Sequence, residues 1–334
     1  MDNCLPSLSE LDELLGCTGS PVAEQLERRL VDPARVLLSR QSKHMRARLV
    51  ALAYDLAGGG DVGRQLVDKA AAALEQLHTG SLIVDDIQDG SKQRRGGHSL
   101  HTIYGVPTAL CAGNWLYFRP MRILDTLPLP DGTRHRLLTA YYQAVEAAHY
   151  GQALDINVKV DTLGRHEVPA LCDAVIEWKT GTITALAMRV GAILAGADEA
   201  TEEALADFGM AFGKTLQYCD DIGNVVGRRD PSKRFEDLQL RKPTAVWAMA
   251  AARSTDDDYA VFRAAALRVE DDAAPLITWL EERGFVADAT VRLNKAMRLA
   301  IDTLAQVLAP HALEQSEAAL TRLRDLTEEL IDAY

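Results

Sequence analysis

The first acidic cluster of the sequence, DDIQD, places Asp85, Asp86 and Asp89 within five residues. A helix turns each successive side chain by about 100°, so Ser81, Asp85 and Asp89 share one narrow face. His78 lies on the same face one turn earlier. The flanking positions are mainly leucine, isoleucine and valine, a composition typical of a buried helix. Buried carboxylates on one face repel each other unless a cation lies between them.

A second cluster, QYCDDIGN, places Gln217, Asp220 and Asp221 on one helical face, followed by Asn224. Carboxylate and amide oxygens without a nearby pair of His or Cys favour hard cations, Mg²⁺ above Zn²⁺. One such cluster alone is most often a solvated helix end. Two clusters, each embedded in an apolar helix, instead predict a Mg²⁺ site that substrate phosphates share.

Basic residues accompany both clusters. Arg94 and Arg95 follow the first cluster in a glycine-rich stretch, and Lys43 and Arg46 lie at helical spacing near the start of the chain. Guanidinium groups suit bidentate phosphate contacts, and lysine acts as a mobile point charge. Singly, each is more often an ordinary surface charge. Together with the acidic faces they predict a diphosphate-binding cavity. The remaining candidates for this cavity are Lys179, Lys233 and Lys242.

Helices must position these residues, because apolar residues recur with a period near 3.6 along most of the chain. The clearest predicted helices are Val62–Val84 with Asp61 as its N-cap, Ala251–Val269 and Ala289–Val307. No clear period-2 alternation bounded by turns is found, so no strands are predicted. Internal repeats and low-complexity linkers are also missing from the sequence. The pattern predicts one all-α domain over residues 1–334.

The net charge, the apolar stretches and the cysteines limit the functions that this protein can have. The net charge is −12 at pH 7, which argues against nucleic-acid binding and requires a local basic pocket for any anionic ligand. Neither a signal peptide nor an 18-residue apolar stretch is found, so no membrane-spanning helix is expected. The cysteines are odd in number and lack metal-type spacing, which favours reduced thiols and a cytoplasmic location. They are Cys4, Cys17, Cys111, Cys172 and Cys219.

The sequence motifs and the order in which they occur resemble those of the trans-isoprenyl diphosphate synthase family. The resemblance rests on SKHMR, HTGSL, DDIQDGSKQRRGG, GQALD, KTG and CDDIGN, spread from Gln41 to Thr244. It is closest in style to the geranylgeranyl diphosphate synthases, whose eukaryotic members also carry Asn at the position of Asn224. The resemblance implies an antiparallel helical bundle around a central cavity, in a protein that pairs as a homodimer.

The resemblance also implies an activity, the Mg²⁺-dependent condensation of isopentenyl diphosphate with an allylic diphosphate. Three Mg²⁺ ions would be held, directly or through water, by Asp85, Asp86, Asp89, Asp220, Asp221 and Asn224. The allylic diphosphate would be held by Arg94, Lys179, Lys233 and Lys242. Isopentenyl diphosphate would be held by Lys43, Arg46, His78 and Arg95. Thr180 and Gln217 would offer oxygen dipoles to the allylic cation.

Product length is expected to depend on the residues one to two turns before Asp85. Gly80 and Ser81 are small, so the tail has room to grow, and a C20 product is expected. Under this hypothesis Gly80→Phe shortens the product.

Two other functions remain open at this point. A class I terpene cyclase or an irregular coupling enzyme has the same fold, and Asn224 resembles a cyclase metal ligand. A cyclase, however, has no use for the isopentenyl diphosphate residues. A noncatalytic subunit that regulates a partner synthase would not need both acidic clusters.

Overall fold

The computed structural model describes residues 5–16, 18–227, 234–311 and 314–332. These residues are predominantly helical, which confirms the predicted all-α class. One pair of two-residue strands, which the sequence did not predict, joins β1 (Gln93–Arg94) to β2 (Gly97–His98) antiparallel. The described helices include none with the length and apolar content that a membrane crossing requires. That the whole chain forms one domain stays a prediction.

The helices are numbered in chain order. They are α1 (Leu8–Leu14), α2 (Pro21–Leu26), α3 (Asp32–Leu38), α4 (Met45–Leu56), α5 (Arg64–Asp89), α6 (Leu100–Tyr104), α7 (Val106–Asp125), α8 (Asp131–Asn157), α9 (Val168–Ile176), α10 (Thr182–Ala195), α11 (Glu199–Val226), α12 (Glu236–Gln239), α13 (Ala245–Arg253), α14 (Asp256–Leu267), α15 (Ala274–Glu282), α16 (Phe285–Leu308) and α17 (Glu314–Asp332). Two π-helical turns, Glu27–Val31 and Glu177–Gly181, join α2 to α3 and α9 to α10.

The predicted helix boundaries are only partly right. Ala289–Val307 lies within α16, as predicted, and α5 covers the helix that carries the first acidic cluster. Asp61 is not its N-cap, because a 3₁₀ turn over Asp61–Gly63 precedes α5. The predicted helix Ala251–Val269 is wrong, since Thr255 caps α14 by accepting a hydrogen bond from the Asp258 amide. A threonine hydroxyl competes well for an N-terminal amide, and this separates α13 from α14.

The bundle centres on α5 and α10. α5 packs along α7 and against α4, while α10 lies against α4, α8 and α11. Glycines allow the closest of these contacts. A Cβ atom on Gly80 would lie 2.8 Å from both the Gly113 carbonyl oxygen and the Leu116 Cβ of α7. The side of α5 that bears Gly80 is therefore closed by α7.

The Gly80 contact leads to a stability prediction. Gly80→Ala gains helix propensity, but its methyl group meets backbone that cannot move freely. We expect a net loss of about 1–3 kcal/mol, measured by urea unfolding. Gly132→Ala is the matched control, since a Cβ atom at this position in α8 meets nothing within 4 Å. An unfolding free energy of the Gly80→Ala variant equal to that of the unmodified protein would contradict this packing.

Candidate active site

A cavity of about 640 Å³ opens between the helices. Residues from α4, α5, α7, α8, α9, α10 and α11, the second π-helical turn and the segment before α13 line it. One part of the lining carries both acidic and basic side chains. The apolar part is formed by residues that include Leu77, Leu82, Val145, Val175, Ile183 and Leu216.

The first acidic cluster divides between the cavity and the protein interior. Asp85 and Asp89 line the cavity, as do Ser81 and His78 from the same face of α5. Asp86 is fully buried outside the lining, where its Oδ1 accepts a hydrogen bond from Arg94 Nε at 2.8 Å. Burial raises the pKa of Asp86 above its ordinary value. In this structure Asp86 thus contacts the arginine and not the cavity.

The second cluster divides in the same way. Asp220 and Asp221 line the cavity, but Asn224, one turn later, does not. Asp221 accepts hydrogen bonds from Gln217 Nε2 at 2.8 Å and from the Ala245 amide at 2.7 Å. Burial raises the pKa of Asp221 well above its ordinary value. Asp221 therefore anchors Gln217 and the start of α13.

Two lysines connect the acidic groups. Lys179 Nζ lies 3.1 Å from Asp85 Oδ1 and 2.6 Å from Asp155 Oδ2. Lys242 Nζ lies 2.6 Å from Asp89 Oδ2 and 3.8 Å from Asp155 Oδ2. Asp155 is the last residue of the GQALD motif, and it stands between both lysines. The sequence placed Asp155 in a motif, but its contacts with Lys179 and Lys242 depend on how three separate segments of the chain pack together.

The second π-helical turn brings Lys179 and Thr180 into the cavity. Gly151 of α8 makes this possible, because a Cβ atom there would lie 2.4 Å from the Lys179 amide nitrogen. Thr180 Oγ1 donates a hydrogen bond to Gln217 Oε1 at 2.8 Å. π-Helical turns inside longer helices are frequent at functional sites, since the extra residue reorients the side chains. Thr180 and Gln217 thus form one hydrogen-bonded pair in the lining.

A second basic region of the cavity lies near α4. Arg46, His78 and Arg95 all line the cavity there. The buried Arg46 Nε has no hydrogen-bond partner. Burial, opposed by the charge of Glu75 and reinforced by that of Arg95, lowers the pKa of Arg46 to about 10. Burial is the main reason that the pKa of His78 lies well below its ordinary value, and the charge of Arg46 lowers this pKa further. Two guanidinium groups that line the same part of a cavity favour an anionic ligand between them.

The remaining predicted residues lie in different places. Arg94 lines the cavity and contacts Asp85 at 3.5 Å as well as Asp86. Lys43 is exposed and does not line the cavity. Lys233 lies outside the described residues. Lining residues that the sequence-based site did not contain include Asn114, Tyr117, His149, Gln152, Asp155, Glu236 and Asp237.

The prediction that Gly80 borders the hydrocarbon pocket is wrong. Gly80 faces α7 and is not part of the lining, whereas its neighbour Ser81 is. Helical periodicity separates these two positions by about 100°, but only the placement of α7 shows which of them borders the cavity. Gly80→Phe would therefore disrupt the contact with α7.

The donor chemistry of the site fits Mg²⁺. Asp85, Asp89 and Asp220 present carboxylates to one cavity, without a histidine–cysteine set that would favour a softer metal. Among the described residues, no three His, Cys, Asp or Glu side chains are already grouped to hold an ion. Mg²⁺ is commonly bound by few carboxylates together with substrate phosphates, so a diphosphate would complete the coordination.

Asp237 provides a pH-dependent stability prediction. Burial raises the pKa of Asp237 from 3.8 to about 6, so its charged form destabilises the metal-free folded protein above pH 6. Asp237→Asn should therefore raise stability by about 1–3 kcal/mol at pH 8. This gain should diminish as the pH falls from about 6 towards 3.8, where the native carboxyl is protonated. Thermal midpoints of both proteins in EDTA at pH 8 and pH 4.5 test this, and an equal difference at both pH values contradicts it.

Comparison with known proteins agrees with this geometry. The polyprenyl synthetase family model matches residues 27–277. A geranylgeranyl pyrophosphate synthase of Geoglobus acetivorans is 30% identical over 206 residues, which cover 61% of this chain and 62% of that protein. The chain therefore spans, in sequence, less than two thirds of this relative's length.

Two crystal structures share the fold over almost the whole chain. A polyprenyl synthase from Caulobacter crescentus CB15, complexed with calcium and isoprenyl diphosphate, is 25% identical with a TM-score of 0.67, covering 98% of this chain and 97% of that chain. A geranylgeranyl pyrophosphate synthase from Corynebacterium glutamicum, complexed with isoprenyl diphosphate and magnesium, is 22% identical with a TM-score of 0.74, covering 98% and 96%. These structures confirm the predicted isoprenoid synthase type of bundle. The chain belongs to the polyprenyl synthetase family.

Proposed function

We propose that this protein is a Mg²⁺-dependent trans-prenyltransferase that joins isopentenyl diphosphate to an allylic diphosphate. The observation that carries the proposal is one cavity with two differently charged regions. Asp85, Asp89, Asp220 and two lysines form the first, and Arg46, whose Nε has no hydrogen-bond partner, forms the second with Arg95 and His78. A cavity that ionises one diphosphate has no need for a second basic region unless another anionic substrate binds there.

Mg²⁺, when bound, would supply charge that stabilises the leaving diphosphate. Lys179, Lys242 and Arg94 would hold the same diphosphate as the allylic C–O bond breaks. Arg46 and Arg95 would place the alkene of isopentenyl diphosphate against the allylic carbon, where the new C–C bond forms. The departed diphosphate would then take the proton that restores a double bond. The Thr180–Gln217 pair would present oxygen dipoles to the transient cation, and the apolar lining would exclude water.

We further propose a C20 product. The support is the small Ser81 in the lining and the relatives named as geranylgeranyl synthases. On α5 the lining ends at Leu77, about 12 Å below Asp85 by helix rise. The rings of Tyr117 and His149, with centroids 5.1 Å apart, close the wall between α7 and α8.

Tyr117 should therefore limit the length of the product. Tyr117→Ala removes part of this wall, and we expect products at least one C5 unit longer than those of the unmodified protein. The measurement is chromatography of the dephosphorylated products. Leu299→Ala, at an exposed position of α16 outside the cavity, is the control. An unchanged product distribution in Tyr117→Ala would show that the pocket ends elsewhere.

A homodimer is also proposed. Large apolar side chains are exposed on neighbouring helices α7 and α8, including Leu110, Phe118, Tyr142 and Tyr150. Such a surface is more typical of a subunit interface than of solvent-facing helices. The cytoplasmic location stays a prediction from cysteine usage.

The function is tested by incubating the purified chain with Mg²⁺, isopentenyl diphosphate and dimethylallyl, geranyl or farnesyl diphosphate in turn. We expect chain-elongated prenyl diphosphates and one inorganic diphosphate released per isopentenyl unit consumed. Hydrocarbon release from geranylgeranyl diphosphate alone would instead support the cyclase. Failure of the chain alone to release diphosphate would support a noncatalytic subunit.

A further inference from the structure

Two bulky residues with left-handed backbone conformation flank the short helix α12. Phe235 has φ of +67° and Arg241 has φ of +56°. This region of φ is unfavourable for residues with large side chains. Such conformations persist only when the surrounding structure imposes them. We call the segment Phe235–Lys242, which contains both residues and ends at the next lysine, the Lys242 strap.

Contacts with the end of α11 hold the first end of the Lys242 strap. The Phe235 ring is buried in the core, and its amide donates a hydrogen bond to the Asn224 carbonyl at 3.2 Å. Arg234 Nε donates to the Val225 carbonyl at 2.8 Å, and its guanidinium lies 4.5 Å from the Phe235 ring centroid. The strap is thereby joined to the helix that carries the second acidic cluster.

Residues just after α8 hold the other end. The Val160 amide donates to the Arg241 carbonyl at 3.1 Å, and Lys159 Nζ donates to the Leu240 carbonyl at 3.0 Å. Arg241 Nη1 lies 3.6 Å from Oδ2 of the buried Asp161. The strap is thus also joined to the helix that carries Asp155. Its ends are attached to two different walls of the cavity.

The strap determines where the Lys242 side chain begins. The Lys242 amide donates to the Asp237 carbonyl at 3.0 Å, and its Nζ reaches Asp89 Oδ2 at 2.6 Å. Because φ of Arg241 sets the direction of the next residue, relaxation of Arg241 would move Lys242 away from Asp89. We propose that Lys159, Asp161 and Arg241 are positioning residues that hold the Lys242 ammonium at the allylic diphosphate region. This inference rests on the proposed function, which assigns that region to the allylic substrate.

Two sets of substitutions test this role. Lys159→Met with Asp161→Asn removes two side-chain contacts to the strap but leaves its sequence unchanged. Arg241→Gly removes the ion pair with Asp161 from the strap side and relieves the unfavourable φ, so its thermal midpoint should be equal or higher. In both variants we expect inorganic diphosphate with Mg²⁺ to bind about three- to tenfold more weakly by calorimetry. The KM for the allylic diphosphate should rise by the same factor, while the KM for isopentenyl diphosphate stays unchanged.

The matched control is Lys295→Met with Asp302→Asn, two exposed residues of α16 outside the cavity. This control should change neither affinity nor KM. Unchanged diphosphate affinity in the two strap variants, or an equal loss in the control, overturns the inference. If the unmodified protein binds diphosphate but forms no prenyl product, the proposed function fails, and the calorimetric comparison still tests the strap.

Discussion

Asp85→Asn should lower kcat/KM for prenyl transfer by about 10²–10³-fold, the usual cost of removing one preorganised charge-stabilising group. Asp85 lies in the cavity next to Lys179, and the charge of that lysine, opposing the effect of burial, keeps the pKa of Asp85 below its ordinary value. The carboxylate is therefore available as an anion for Mg²⁺ at neutral pH. Asparagine keeps the shape of the side chain but supplies only a neutral carbonyl oxygen.

Asp86 is the next residue in the sequence, so the Asp86→Asn variant can be compared directly with Asp85→Asn. Asp86 is buried against Arg94 outside the cavity, and Asp86→Asn leaves that guanidinium without its carboxylate partner, so the thermal midpoint should change more than in Asp85→Asn. Its effect on kcat/KM should be smaller. Asp68→Asn, at an exposed position of the same helix, should change neither quantity. Equal losses of kcat/KM in Asp85→Asn and Asp86→Asn would contradict the assignment of their different roles.

Arg46→Gln should raise the KM for isopentenyl diphosphate by about 10- to 100-fold, because charged hydrogen bonds to the phosphate are lost. The KM for the allylic diphosphate should change little. Arg46 lines the cavity with a buried Nε that has no hydrogen-bond partner. Burial, opposed by the charge of Glu75 and reinforced by that of Arg95, lowers its pKa. Removing this charge should therefore leave the thermal midpoint of the ligand-free protein equal or higher.

Arg48→Gln is the control for this prediction. Arg48 lies on the same helix but is exposed and pairs with Glu329 at 3.0 Å. Its substitution should leave both KM values unchanged. A loss of thermal stability in Arg46→Gln without a change in KM would show that Arg46 is a structural residue.

Helical periodicity was sufficient for residues that share one helix. It placed His78, Ser81, Asp85 and Asp89 on one face, and the structure brings all four to one cavity. Contacts between distant segments were not accessible in this way. The Lys242–Asp89 pair joins residues 153 positions apart, and Asp155 meets both lysines only because three segments converge.

Local competition and packing explain the predictions that failed. The apolar period predicts one helix over Ala251–Val269, but the chain breaks at Thr255. The Thr255 hydroxyl accepts a hydrogen bond from the Asp258 amide, and this cap starts a new helix. Gly80 is small and lies at the predicted distance from Asp85, but α7 covers its side of the helix. The left-handed Phe235 and Arg241 carry no sequence signal, since glycine is the residue expected at positive φ.

The central claim is that two diphosphate substrates bind side by side in one cavity. Calorimetric titration of isopentenyl diphosphate into the protein saturated with Mg²⁺ and the thiolo analogue of geranyl diphosphate, which ionises poorly, tests it most directly. We predict binding of one isopentenyl diphosphate per chain with the geranyl analogue retained, and loss of this binding in Arg46→Gln. Displacement of the geranyl analogue by isopentenyl diphosphate would show a single shared site and contradict the claim.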